Sequence, residues 1–315
     1  MDKTIVAFGE VLWDLLPSCT VLGGAPFNFT YRVNSLGDRG LMVSRLGRDN
    51  LGQQAFDHIV LLGLDTRLLQ WDDESPTGTV QVSFDAKNNP EYVIVPNVAY
   101  DRISFTDDLA EAAEAADCLC FGTLAQRAST SRATLVEVLE RASTALKFLD
   151  INLRKDCFDD RSVDFSLGQA DILKLNEDEA HAIGRMLEIR HGSIDDFCKT
   201  IVDEYGLRFC LVTLGDKGAF GLSCDGQRTY TPGYKVAVAD SLGSGDAFSA
   251  GFVHKILHGA SLGQAVAFGN VLGAVVATQT GATVSMASED LDRFVHQKRE
   301  RSIHPAFWAD VREDL

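Results

Sequence analysis

The chain has 315 residues, 45% of them hydrophobic, which is enough to build the large core of an open α/β domain. The 29 Lys and Arg against 45 Asp and Glu give a net charge of −16, which argues against nucleic acid and anionic membrane as partners because both would be repelled. Without a signal-peptide pattern, a membrane-spanning apolar run or a C-x-x-C pair among its seven cysteines, the sequence predicts a cytoplasmic protein with reduced thiols.

Short apolar strands alternate with helices along the chain. Strands are predicted at residues 4–10, 41–47, 118–122, 147–152, 171–176 and 208–215. Helices are predicted at residues 25–36, 52–63, 131–145, 177–187, 194–205 and from Gly245 to Gly259. This alternation is typical of an α/β fold with a mostly parallel sheet and helices on both faces. We expect residues 1–315 to form one such domain.

One region interrupts this rhythm. Residues 77–101 contain two alternating runs around the turn AKNNP, which predicts a β-hairpin without a crossover helix. A strand at about residues 11–22 is expected to join the hairpin. We interpret these segments as a small β-sheet that forms a lid, although a hairpin at the edge of the main sheet would have the same composition.

The common nucleotide and metal fingerprints are absent. The first strand is followed by GEVLWD and not by the glycine pattern of a dinucleotide fold. Residues 47–54, GRDNLGQQ, have the glycine spacing of a P-loop but lack its Lys and Ser/Thr. The sequence contains no zinc motif and no G-x-S-x-G. We therefore expect neither a zinc enzyme nor a serine hydrolase of the common types.

The segment DSLGSGDAF at residues 240–248 combines small residues with two acids immediately before a helical pattern. Unpaired amides and the helix dipole favour an anion at such an N-terminus, and Gly243, Ser244 and Gly245 would let it approach closely. Asp246 could accept a proton from a hydroxyl that attacks the anion, which is the chemistry of phosphoryl transfer to an alcohol. An ordinary helix cap explains these nine residues equally well, so both interpretations stay open from this segment.

Longer segments resemble the PfkB (ribokinase-like) carbohydrate kinases. GGAPFNFTYRVNSLG at residues 23–37 is similar to the first signature of that family, and DSLGSGDAFSAGFV at residues 240–253 is similar to the second. LKLNEDEA at residues 173–180 resembles its N-x-x-E element, and VTLGDKGAF at residues 212–220 resembles its nucleotide-binding loop. The resemblance covers nearly the whole chain and implies a ribokinase-like three-layer α/β/α fold with a small β-sheet lid.

The resemblance implies a role for each matching position. Asp246 is the expected general base, the backbone of Gly243, Ser244 and Gly245 the expected anion hole, and Arg154 a neighbour of the transferred phosphoryl group or the substrate. The expected sugar ligands are Asp14, Gly23, Gly24 and Asn28, together with Asp246 itself. The residues expected to line ATP are Asn176, Glu179, Thr213, Gly215, Gly218 and Asn270.

Two kinds of cation are also implied by the resemblance. Asn176 and Glu179 would organise Mg²⁺, largely through water, because Mg²⁺ gives up its water ligands reluctantly. Many relatives also use a monovalent cation such as K⁺. The positions that match that site are Asp240, Leu242, Val276, Gln279, Gly281 and Ser285. Leu242 and Gln279 depart from the residues that relatives often have there.

Fructose is the preferred substrate from sequence, because FGEVLWDLLP, GGAPFN and DINLR most resemble bacterial fructokinases. A keto-deoxy acid such as 2-keto-3-deoxygluconate stays open, with Arg154 or Arg127 as the partner of its carboxylate. Ribose and adenosine are further alternatives within the family. A catalytically inactive sugar sensor and a nicotinamide enzyme are the alternatives from other classes. Pairing of lid strands between subunits in relatives implies a homodimer.

Overall fold

The computed structural model describes residues 2–15, 19–84, 90–189, 192–297 and 299–311. The chain divides into two compact units. Unit 1 comprises Met1–Ala145 and Arg154–Phe158, and unit 2 comprises Leu146–Leu153 and Asp159–Leu315. The prediction that residues 1–315 form a single domain stays a prediction. Within the described ranges, no helix has both the length and the apolar character needed to cross a membrane.

Unit 1 is an α/β unit with two sheets. Its strands are β1 Thr4–Phe8, β2 Leu12–Leu15, β3 Thr20–Gly23, β4 Arg39–Gly47, β5 Leu69–Asp72, β6 Gly78–Phe84, β7 Pro90–Ile94 and β8 Cys118–Phe121. Its helices are α1 Ala25–Ser35, α2 Asn50–Leu61, α3 Asp107–Glu114 and α4 Ser129–Arg141.

The larger sheet of unit 1 is parallel, in the order β8-β1-β4-β5. Four of the five residues of β1 and all four of β8 are buried, as expected of parallel strands covered on both faces. Helix α1 packs against β1 and β4, and α2 packs against β4. The predicted strand at residues 41–47 is therefore correct but begins two residues late.

The smaller sheet of unit 1 has the order β3-β2-β6-β7. The expected single strand at residues 11–22 is wrong in detail, because two short antiparallel strands, β2 and β3, occupy it. Strand β6 pairs antiparallel with β7, so a hairpin does form within residues 77–101. Most of the predicted turn, at residues 85–89, lies outside the described residues.

Unit 2 is also an α/β unit. Its strands are β9 Leu146–Asp150, β10 Ile172–Asn176, β11 Phe209–Thr213, β12 Ala219–Ser223, β13 Arg228–Thr231, β14 Gly233–Tyr234 and β15 Arg301–Ser302. Its helices are α5 Asp160–Gln169, α6 Glu177–Met186, α7 Ile194–Tyr205, α8 Ser244–Leu257, α9 Leu262–Ala277, α10 Ser288–His296 and α11 Trp308–Val311.

The main sheet of unit 2 has the order β13-β12-β11-β10-β9; β9, β10 and β11 pair in parallel, and the β11–β12 and β12–β13 pairs are antiparallel. Strand β14 ends at Tyr234 and pairs antiparallel with β15. Helix α8 packs closely on α9. The predicted α/β class with a mostly parallel sheet and a small additional β-sheet is confirmed.

Candidate active site

A cavity of about 490 Å³ in unit 2 gathers residues that the sequence analysis took from separate motifs. The predicted residues that line it are Asn176, Thr213, Gly215, Gly218, Ser244, Gly245 and Asn270. Glu179, Gly243 and Asp246 are not in the lining. A larger cavity of about 920 Å³ along α6 and α7 is lined by none of the predicted residues, so volume alone does not locate the site.

The floor of this cavity lies where two parallel strands end. Asn176 ends β10, Thr213 ends β11, and the two residues are directly paired in the strand register. Ligands of open α/β sheets bind at this carboxyl edge. Asn270 lies on α9, and a hydrogen bond from its Nδ2 to the carbonyl oxygen of Pro232, at 2.9 Å, holds its side chain.

The N-x-x-E element forms a capping box at the start of α6. The amide of Glu179 donates to Asn176 Oδ1 at 2.8 Å, and Glu179 Oε2 accepts from the amide of Asn176 at 2.9 Å. Glu179 Oε1 accepts from the amide of Leu153 at 3.0 Å. Both carboxylate oxygens are therefore engaged, and the pair fits Mg²⁺ through water better than by direct ligation.

Helix α8 begins with the segment Gly243–Gly245, named here the α8 tip. Gly243 is the N-cap in the left-handed conformation, with φ 76°, and no side chain caps the helix. Ser244 Oγ is buried without a hydrogen-bond partner among the described residues. The Ser244 amide donates to the carbonyl oxygen of Ser241 at 3.2 Å, so an anion using that amide must replace this bond. The orphaned hydroxyl fits an anionic ligand at the tip.

Asp246 lies in the first turn of α8 and is only 9% exposed. It interacts electrostatically with Lys174, a buried lysine on β10 that the sequence analysis did not single out. Burial alone would lower the pKa of Lys174, but the carboxylates of Asp150, Glu179 and Asp246 more than offset this and raise it. Pairing with Asp150 thus favours the charged ammonium form of Lys174.

The residues predicted to bind a monovalent cation all belong to unit 2. The carboxylate of Asp240 accepts from the amides of Leu242 at 2.9 Å and Gly281 at 3.2 Å, so it closes the loop before α8. The Val276 carbonyl accepts from the amide of Gln279 at 2.9 Å, and Ser285 is exposed. The side-chain Oε1 of Gln279 is buried and finds no donor among the described residues. A buried amide oxygen without a hydrogen-bond donor is a suitable ligand for a cation.

The predicted sugar ligands lie together in unit 1. A Cβ built on Gly23 would come within 3.0 Å of Asp14 Oδ2, so the missing side chain leaves room for that carboxylate. Gly24 is the N-cap of α1 with φ 115°, and a Cβ there would lie 2.4 Å from the carbonyl oxygen of Glu10. Asn28, on the same helix, is 4% exposed. Close packing therefore explains why Gly23 and Gly24 are glycines, in addition to any contact with sugar.

Arg154 and Arg127 differ in how they are held. Arg154 is exposed and interacts electrostatically with Asp14. Arg127 donates to both carboxylate oxygens of Asp101, at 2.8 and 2.9 Å, and its Nη2 also donates to the carbonyl oxygen of Val95 and to Tyr100. Arg127 therefore has a structural role, because its donors are bound within the protein. Of the two arginines, only Arg154 has an exposed guanidinium.

Sequence reasoning missed two sets of contributing residues. Glu10, 7% exposed, accepts from the amide of Ala25 at 3.2 Å and so supplies the cap that α1 lacks. The apolar wall of the 490 Å³ cavity was also missed; it includes Tyr234, Val236, Val238, Ala274 and Ala277. The valines resembled a strand, and the alanines resembled ordinary helix packing, so neither gave a distinct signal.

Comparison with known proteins identifies the family. Residues 20–289 match the pfkB family carbohydrate kinase. The chain belongs to this family. The chain is 28% identical over 317 residues to Fructokinase-1 of Oryza sativa subsp. japonica, which covers 91% of this chain and 96% of that protein. The predicted family is confirmed, and with it the enzyme class of an ATP-dependent carbohydrate kinase.

Solved structures share the fold of this carbohydrate kinase. A fructokinase with bound ATP from Xylella fastidiosa matches with a TM-score of 0.83 at 21% identity, over 94% of this chain and 98% of that chain. A fructokinase double mutant from Vibrio cholerae O395, in a form with bound fructose, ADP and potassium ion, matches with a TM-score of 0.78 at 22% identity, over 94% and 100%. The ribokinase-like fold prediction is confirmed.

Proposed function

We propose that this chain transfers the γ-phosphoryl group of ATP to O6 of fructose, with Asp246 as the general base. The observation that carries the proposal is the cavity of unit 2, where the ends of β10 and β11, α9 and the α8 tip converge. Its apolar wall suits a nucleobase, and the α8 tip suits a phosphoryl group. Unit 1 supplies carboxylate and amide groups that suit sugar hydroxyls.

The chemistry assigned to the chain's own residues is proton removal and charge stabilisation. The proton of the attacking hydroxyl passes from the sugar oxygen to a carboxylate oxygen of Asp246 as the new P–O bond forms, while the bond from the γ-phosphorus to the bridging β-phosphate oxygen of ATP breaks and ADP leaves. The amides and hydroxyl of the α8 tip, Gly243–Gly245, stabilise the charge on the transferred group. The small sheet β3-β2-β6-β7, which contains Asp14 and Gly23, is proposed to close over the sugar and exclude water.

Cations complete the proposed site. Asn176 and Glu179 would orient Mg²⁺ through its waters, and Mg²⁺ when bound neutralises phosphate charge. Asp240, Leu242, Val276, Gln279, Gly281 and Ser285 are proposed to hold K⁺. The buried Gln279 Oε1 and the potassium-bound relative support this site. A homodimer through the small sheet stays a prediction.

Fructose is supported by the GGAPFN segment and by relatives named fructokinase. A keto-deoxy acid kinase is the second candidate, and one observation favours it. Arg154 is an exposed guanidinium that interacts electrostatically with Asp14, and a substrate carboxylate would pair with it.

A sugar panel tests the substrate directly. ADP release is measured with fructose, 2-keto-3-deoxygluconate, ribose and adenosine, in the presence of ATP and Mg²⁺. The highest kcat/KM is expected with fructose, and phosphorus NMR of the product should place the phosphate on O6. Asp246→Asn protein purified in parallel controls for contaminating kinases. A higher kcat/KM with the keto acid would show that it, and not fructose, is the preferred substrate. Sugar binding without ADP release would indicate a sensor.

Replacing Asp14 by asparagine is expected to weaken sugar binding by about tenfold or more, because a charged hydrogen-bond acceptor is lost. The same change should raise Tm at pH 7. Burial raises the pKa of Asp14 above 3.8, and Arg154 only partly offsets this. The unfolded chain therefore ionises first, so ionisation of Asp14 destabilises the folded chain as pH rises above 3.8.

The gain in Tm for Asp14→Asn should disappear below about pH 3.8, where the carboxyl is protonated in both states. Asp117→Asn is the matched control of opposite sign. Hydrogen bonds from Lys3 and the Thr4 amide outweigh burial and lower the pKa of Asp117, so this variant should lose stability at pH 7. Differential scanning calorimetry from pH 3 to pH 8 measures both. Equal shifts of the same sign would contradict the assignment for Asp14.

A further inference from the structure

Lys174 occupies an unusual place for a charged residue. It lies in the middle of β10, flanked by the buried Leu173 and Leu175, and is 4% exposed. Strand β10 is paired on both sides, with β9 and with β11. Lysine is almost never buried in this way unless its ammonium is paired.

The ammonium belongs to a buried polar cluster that joins two strands to α8. Lys174 Nζ lies 3.0 Å from Asp150 Oδ1 and 3.3 Å from Oδ2, and the two residues are opposite each other in the register of β9 and β10. Asp150 Oδ2 also accepts from the hydroxyl of Ser249 on α8 at 2.8 Å. Asp150 is 6% exposed and Ser249 is fully buried.

The same ammonium lies beside the start of α8. A Cβ built on Gly245 would lie 3.2 Å from Lys174 Nζ, closer than most carbon neighbours come. Ser249 Oγ also lies 3.1 Å from the Gly245 carbonyl oxygen, so its single proton is shared between that oxygen and the closer Asp150 carboxylate. Glu179 and Asp246 interact electrostatically with Lys174, so its charge lies among the acids of the candidate site. Gly245 therefore makes room for the ammonium as well as for an anion.

We propose that Lys174 is a positioning residue for phosphoryl transfer. Its ammonium, held by the carboxylate of Asp150 that also binds Ser249 of α8, fixes the α8 tip and places a full positive charge behind it. The inference rests on the proposed function, because it assigns Lys174 to the same site. A helix N-terminus alone offers about half an elementary charge, so a lysine behind it strengthens the field where negative charge accumulates.

A purely structural role is the competing explanation. Buried ion pairs contribute little to stability on balance, and neutral side chains of similar volume often replace them without loss. A cluster kept only for stability has therefore no physical need to lie against the α8 tip. The two explanations predict different outcomes when the pair is neutralised as a whole.

Lys174→Met is the first variant. Its kcat is expected to fall at least about tenfold, with the KM for sugar within about twofold of the parent, because the lost charge acts on the phosphoryl group and not on the sugar. Calorimetric titration with AMP-PNP and ADP gives a readout that needs no turnover. The variant should lose at least about fivefold more affinity for AMP-PNP than for ADP, because only the former brings a γ-phosphoryl group.

The double variant Asp150→Asn/Lys174→Met keeps the volume of the pair and removes both charges. Its Tm should return towards the parent while kcat stays low. Arg45→Met is the matched control in unit 1, where the Arg45 Nε lies 2.8 Å from Asp72 Oδ2; it should lower Tm and leave kcat unchanged. Parent-like kcat in Lys174→Met or in the double variant overturns the inference, as does an equal loss of kcat in Arg45→Met.

Failure of the proposed function gives a different result. A parent that binds nucleotide but releases no ADP with any sugar refutes the kinase proposal, and the comparison of AMP-PNP with ADP still decides the role of Lys174. Equal losses of affinity for the two nucleotides in Lys174→Met overturn the positioning role. A parent that binds neither nucleotide contradicts both proposals.

Discussion

Asparagine in place of Asp246 is expected to lower kcat by about 10²–10⁴-fold, the usual contribution of a positioned general base. Asparagine has nearly the same shape but cannot accept the hydroxyl proton. Because asparagine keeps the shape of the side chain and other residues supply most of the binding of sugar and nucleotide, both KM values should change little. Steady-state kinetics with fructose and ATP measure this, and titration of sugar into the variant checks that binding persists.

Asp160→Asn is the matched control for Asp246→Asn. Asp160 also lies in the first turn of a helix, α5, so its loss removes a similar interaction with the helix dipole, worth up to about 1 kcal/mol of stability. Its kcat should equal that of the parent. Near-normal turnover in Asp246→Asn would end the assignment of Asp246 as the base.

Gly243→Ala is expected to lower kcat by about 10²-fold or more, the scale on which loss of oxyanion stabilisation acts. Gly243 has φ 76°, where a side chain costs about 1 kcal/mol. In addition, its Cβ would lie 2.4 Å from the Cβ of Ala282, so the α8 tip must move. Steady-state kinetics and a titration with AMP-PNP detect the displacement of the α8 tip. Both kcat and the affinity for AMP-PNP should fall.

The same helix offers a control for backbone strain. Gly259 follows α8 with φ 82°, but a Cβ there meets nothing within 4 Å. Gly259→Ala should therefore lose about 1 kcal/mol of unfolding free energy and keep the parental kcat. Equal kinetic effects of the two substitutions would show that the geometry of the α8 tip is not what Gly243 protects.

Several features were predictable because they depend on residues close together in sequence. The strand and helix order follows from hydrophobic periodicity, and the Asn176–Glu179 capping box follows from side chains three residues apart. Short strands were less predictable. Two antiparallel strands, Leu12–Leu15 and Thr20–Gly23, form where one strand was expected, since an apolar pattern alone does not reveal where a strand is interrupted.

The role of Arg127 was not predictable in the same way. As a candidate for binding a substrate carboxylate, it resembled Arg154 in the sequence. Only the structure shows that Asp101 and Tyr100 occupy its donors. Likewise, no feature of the sequence indicated that Val236 and Val238, which follow β14, line the 490 Å³ cavity.

The sequence by itself determined the α/β class, the family resemblance and the residue types of the candidate site, because motifs and periodicities are local properties of the chain. Only the tertiary structure decided that Asn176 and Thr213 end adjacent strands in register and that Lys174 lies behind Gly245. Such neighbours are far apart in sequence, and they meet through strand pairing and helix packing. The role of a buried lysine in an apolar strand therefore cannot be predicted from its own segment, because it depends on the side chains that the fold places around it.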